Sequence, residues 1–117
     1  MASVEANNER KHRRVKTNIA ATVRLKDQRS AISVGRITNV SLGGLFIEMA
    51  PLPFGTELQL DFSLPERRGN LVCSGYIVWS TKDKPPPPGS SDGCGVRLTD
   101  IGINEMRQLA EFIDNST

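Results

Sequence analysis

Hydrophobic and polar positions alternate along most of this chain. Ile19, Ala21, Val23 and Leu25 are interleaved with Ala20, Thr22 and Arg24, the period of two expected of a strand with one buried face. The pattern places the start of order near Asn18 and a turn at Lys26-Asp27-Gln28-Arg29. A second strand runs from Ala31 to Val40, with Ile32 and Val34 on one parity and Ile37 on the other, so the alternation slips at Gly35, where a bulge or bend is predicted. Asn39-Val40-Ser41-Leu42-Gly43-Gly44 combines side chains that bond nearby backbone with two glycines able to take positive φ, and reads as a tight turn. Leu45–Met49 resumes an extended run, which Pro51 to Gly55 breaks.

The clearest alternation follows, with Leu58, Leu60, Phe62 and Leu64 against Gln59, Asp61 and Ser63, closed by a charged turn from Pro65 to Gly69. Leu71–Ser80 is a long strand with Tyr76 and Trp79 on opposite parities, which predicts burial on both sides. Residues 82–93 form a loop whose prolines at 85–88 cannot donate to a ladder and favour polyproline II. Cys94, Val96 and Leu98 supply a last strand. The period then changes: Ile103, Met106, Leu109, Ala110 and Ile113 are three or four apart, the stripe of an amphipathic helix capped by Gly102 or Asp100, with Glu105 in its first turn. Six strands and a C-terminal helix predict a mainly β protein, a six-stranded antiparallel β-barrel or strongly curled sheet with the helix over one end. Closure would remove the exposed edges.

Length and composition narrow the classes. The 117 residues leave room for a single domain, read as a leader over residues 1–9 followed by one unit over 10–117. No apolar stretch is long enough for a transmembrane helix and no apolar segment follows the N-terminal charges, so the expected location is cytoplasmic. Cys73 and Cys94 lack metal-ligand spacing and read as small buried hydrophobes. The net charge of +2 hides an asymmetry, since residues 1–26 hold seven Lys/Arg against two Glu and the rest of the chain is net acidic. Arg10, Lys11, Arg13, Arg14 and Lys16 fall within seven positions, a cluster suited to an anionic partner.

Catalysis finds little material here. The single histidine, His12, sits among positive charges that lower its affinity for a proton or a metal ion. No nucleophile elbow, zinc-hydrolase motif or phosphate-cradling glycine loop occurs, so the chain reads as a binding protein with no catalytic residues, no metal and no cofactor. Two segments suit one kind of ligand. Arg10 and Arg14 have an Arg-x-x-x-Arg spacing, and guanidinium groups fork onto phosphates, bond the O6/N7 edge of guanine and stack on purine faces. Asn39, Ser41 and Gly44 form an Asn-x-Ser-x-x-Gly turn, in which an amide and a hydroxyl meet a base and a glycine admits close backbone approach.

Together these segments resemble the two halves of the PilZ domain signature, over roughly Glu9 to Asp114. The resemblance implies a PilZ-like split barrel that binds the bacterial second messenger cyclic di-GMP. By matching position, Arg10 and Arg14 would grip phosphates and guanine, Asn39 and Ser41 would bond a guanine and hold the loop, and Gly44 would give the backbone its shape. Lys11, Arg13, Gly43 and Arg97 are auxiliary positions. Glu9 stands where many members carry a further arginine associated with a stacked ligand dimer, which favours one ligand per chain. The implied role is a stand-alone receptor and adaptor in motility, biofilm formation or secretion, signalling to a downstream protein as the ligand orders the arginine arm. The alternative is a PilZ-like interaction module that binds a protein and no nucleotide. A nucleic-acid-binding barrel is a third reading, weakened by the acidic body and the lack of an aromatic stripe.

Overall fold

A computed structural model describes residues 14–26, 33–65, 69–86 and 88–116. The leader over 1–9, the basic positions Arg10, Lys11, His12 and Arg13, the turn at 27–29, the start of the second strand at 31–32 and part of the charged turn at 66–68 lie outside the described residues. Six strands follow one another, β1 (Val15–Leu25), β2 (Ser33–Val40), β3 (Gly44–Glu48), β4 (Glu57–Phe62), β5 (Leu71–Ser80) and β6 (Gly93–Ile101), and then one helix, α1 (Ile103–Asn115). They close into a barrel in the order β1-β2-β3-β6-β5-β4, with every pair antiparallel. The six-stranded antiparallel barrel with a C-terminal helix is the architecture the alternation implied.

The inward positions of all six strands form one core, in which Val23, Ile37, Ile47, Leu58, Leu60, Leu71 and Ile77 are fully buried. Each removes on the order of 1.5–3 kcal/mol worth of apolar surface from water, the term that offsets chain entropy. α1 adds Leu109 and Ile113 to that core and packs Phe112 against it. Gly102 is its N-cap, in an extended conformation without a side-chain cap. Ile103 does not join the predicted stripe, because it opens the helix beyond the core and is 79% exposed.

Three departures from simple alternation shape the surface. β1 begins at Val15, three residues before the predicted start, because Val15 is buried opposite Val40. A bulge between Lys16 and Ile19 absorbs the polar Thr17 and Asn18. The slip expected at Gly35 lies instead at Thr38, where the β2–β3 register shifts between Ile37 and Asn39. Gly35 is in phase and faces the core, and a Cβ there would lie 2.6 Å from Ile47 Cγ1. Its missing side chain makes room for Ile47. Finally, β5 is buried on one face only: a shift between Ile77 and Trp79 leaves both Val78 and Trp79 facing outward.

Candidate functional site

The early start of β1 sets Arg14 at the barrel rim, beside the end of β2. Its Nη1 donates to Asn39 Oδ1 at 2.9 Å. Asn39 presents that oxygen because the bulge at Thr38 separates it from the inward Ile37 and Val40. Its register partners are Lys16 on β1 and Phe46 on β3.

Ser41 follows β2 and is 2% exposed. Its backbone N–H donates to Gly44 O at 2.8 Å, its hydroxyl donates to the same oxygen at 3.1 Å, and Gly44 N–H donates to Ser41 Oγ at 3.2 Å. The hydroxyl proton is therefore committed to the turn, and Ser41 acts first as the clasp that fixes Gly43 and Gly44. The glycine requirement at Gly44 is one of contact. A Cβ there would stand 2.4 Å from Val96 O on β6, whereas the glycines with positive φ are Gly55, Gly69 and Gly89. The two glycines of the turn, read in sequence as able to take positive φ, are not among these, and at Gly44 close strand packing is what excludes a side chain. Leu98 N–H donates to Gly43 O at 3.0 Å and ties the turn to β6.

These pieces enclose a cleft of about 170 Å³, lined by Arg14, Ser41, Gly43, Gly44, Val78, Val96 and Arg97. Arg97 reaches it as the register partner of Gly44 on one side and of Tyr76 on the other. Two guanidinium groups and no carboxylate line the cleft, so its field favours an anion. Its volume suits a phosphate or part of a base, below the several hundred Å³ usual for a whole ligand. A larger groove of about 470 Å³ crosses the outside of β1 between Val34 and Asp61, but its lining carries a carboxylate and no cation.

Of the residues singled out in sequence, Arg14, Ser41, Gly43, Gly44 and Arg97 line one cleft, and Asn39 joins it through Arg14. Arg10, Lys11 and Arg13 lie outside the described residues. Val78 and Val96 form the apolar wall that sequence reading did not pick out. Val96 reads as an ordinary core position, and Val78 as an ordinary outward position of β5, so neither marks a cleft until the barrel closes. Tyr76 and Trp79 both stand on the barrel's outer side, Tyr76 half-buried and Trp79 exposed. Among the described residues no group of three or more His, Cys, Asp or Glu is placed to hold a metal ion, and no helix is long and apolar enough to cross a membrane.

The molecule is thus a small closed β-barrel with a cationic cleft at one rim, built from a strand entry and a glycine turn. A family model described as PilZ domain matches residues 8–115, and the chain belongs to that family. Solved structures of similar fold include the inhibitor of motility MotI/DgrA of Bacillus subtilis, at TM-score 0.73 and 15% identity over 89% of this chain and 49% of that one. The present chain spans about half the length of that relative. The PilZ domain of YcgR from Escherichia coli, solved with c-di-GMP, is similar at TM-score 0.65 and 16% identity, covering 90% of this chain and 88% of that one. The PilZ domain of CeSA from a cellulose-synthesizing bacterium is similar at TM-score 0.59 and 17% identity, covering 88% and 96%. Comparison with curated proteins finds no match.

Proposed function

We propose that this protein is a cytoplasmic receptor for cyclic di-GMP that turns nothing over and hands the signal to a partner protein. The observation that carries this reading is the Arg14–Asn39 contact at the mouth of a carboxylate-free cleft that also holds Ser41, Gly44 and Arg97. A ligand with two phosphates and two guanines has complementary chemistry. One phosphate answers the guanidinium groups of Arg14 and Arg97, and a guanine edge answers Arg14 and the Asn39 amide. Ser41 and Gly44 hold the turn against which the ligand lies.

Arg10 is assigned to the site by motif position, with Lys11 and Arg13 adding field. In this reading the ligand draws that segment onto the rim, and the new surface is what a partner reads. Family membership supports the ligand class, as does the likeness to a PilZ domain solved with c-di-GMP. Motility is a natural setting, since one similar structure is an inhibitor of motility.

Calorimetric titration of the full chain tests the proposal. Cyclic di-GMP is expected to bind saturably, while GTP and a single-stranded oligonucleotide do not. Arg10→Ala and Arg14→Ala should each weaken binding about tenfold to a hundredfold, the loss of one or two charge-assisted contacts. Unchanged affinity in both variants would refute the site, and absence of any nucleotide binding would favour the protein-only adaptor.

A further inference from the structure

A third concavity, of about 320 Å³, lies on the outer face of the barrel. Phe46 on β3 and Trp79 on β5 both pair with Gly95 on the strand between them. Because Gly95 has no side chain, the two rings meet across it, with centroids 5.6 Å apart and planes tilted by 48°. Gly93 extends the same floor: a Cβ there would lie 2.6 Å from Phe46 Cζ. Trp79 remains 40% exposed. Pro86, Gly89, Ser90 and Ser91 of the β5–β6 loop wall the cleft on the far side.

Glu48 supplies the charge in this lining. Its cross-strand neighbour is Arg36, an opposite charge at the distance where such pairs usually join. Arg36 instead donates from Nη1 to Asn18 Oδ1 at 2.6 Å. Among the described residues no cation lies within ion-pair distance of the Glu48 carboxylate. An indole face, a phenyl ring and an uncommitted carboxylate in one cleft are the complement of a cation. A guanidinium suits them better than an ammonium, because its plane stacks on indole while its fork meets the carboxylate.

We infer that this cleft binds an arginine side chain presented by a basic segment of a partner protein. The volume holds one long side chain. From residue 27 onward the chain carries eight Lys/Arg against eleven Asp/Glu, so the barrel body does not repel such a segment. Val78, adjacent to Trp79, lines the Arg14 cleft, so a partner seated here borders the proposed nucleotide site.

Trp79 is the single tryptophan, and its emission therefore reports on this cleft alone. The full chain, without nucleotide, is titrated with the capped peptide Gly-Arg-Gly-Arg-Gly and with its citrulline counterpart, which keeps the shape and removes the charge. The arginine peptide is expected to change Trp79 emission saturably. Replacing arginine by citrulline, or Glu48 by glutamine (Glu48→Gln), should weaken that response about threefold to tenfold, the range for a partly exposed ion pair with stacking. An equal response to the citrulline peptide overturns the inference without needing any variant to fold. So does undiminished binding by Glu48→Gln, or no change in emission at all.

Discussion

Arg14 and Asn39, 25 positions apart in sequence, are joined by a 2.9 Å hydrogen bond at the rim of the barrel. The amide oxygen orients a guanidinium that is otherwise exposed, so the arginine at the cleft is partly pre-organised before any ligand arrives. Asn39→Ala removes the orienting acceptor while leaving the cation in place. It should weaken cyclic di-GMP binding about tenfold or less, and less than Arg14→Ala does. Arg14→Lys keeps the charge and loses the fork, so its affinity should fall close to that of Arg14→Ala. Titration of the three variants side by side checks the order, and an Arg14→Lys protein with full affinity would show that charge alone suffices.

Ser41 is buried, and its hydroxyl both donates to and accepts from the Gly44 backbone. Ser41→Ala leaves that pair of backbone groups with fewer partners and should lower stability by about 1–3 kcal/mol. The loss should appear as a lower urea midpoint with an unchanged m-value. Because the clasp shapes the cleft, affinity should fall in the same variant. A protein of full stability and lost affinity would instead make Ser41 a direct ligand contact.

The barrel was legible because each strand buries one face. Leu58, Leu60, Phe62 and Leu64 alternate cleanly and are all buried. The change of period at Leu109 and Ile113 likewise marked α1. Where the reading failed, long-range geometry decided. Gly35 looked like a bulge because local phase was all that could be read, yet its identity answers to Ile47 on the neighbouring strand. The register shift that turns Trp79 outward depends on the pairing of β5 with β6, which no stretch of β5 contains. The candidate site divides the same way. Arg14, Asn39, Ser41 and Gly44 were visible as residue types at a spacing, whereas the clasp within the turn and the apolar wall needed the closed barrel.

Two glycines separate contact from conformation. A Cβ at Gly44 would lie 2.4 Å from a backbone oxygen, while at Gly55 nothing lies within 4 Å but φ is +86°. Gly44→Ala must push β3 from β6 and should cost about 2–3 kcal/mol. Gly55→Ala carries only the left-handed penalty of about 1–2 kcal/mol. Gly55→Asn should recover part of that loss, because Asn tolerates positive φ, and Gly44→Asn should recover none. Denaturant midpoints of the four variants distinguish the mechanisms, and recovery at position 44 would contradict the contact account.

Cys73 ties stability to alkaline pH. Burial pushes its thiol up from 9.0 to about 12, and the Asp100 carboxylate adds to the rise. The folded state therefore holds this proton more tightly than the unfolded chain does. The sign follows from linkage: the contribution is fully present below the unfolded value near 9 and is lost progressively as pH rises towards about 12. The slope can reach about 1.4 kcal/mol per pH unit where only the unfolded thiol is ionised. Cys73→Ala deletes the titration at the expense of a cavity whose penalty does not vary with pH. Wild type should thus exceed the variant in stability by a constant margin up to a pH of about 9, and the margin should shrink above it. Urea midpoints from a pH of about 8 to about 11 measure this difference between the two proteins. Parallel curves across the whole range would show that the thiol ionises as readily inside the barrel as outside it.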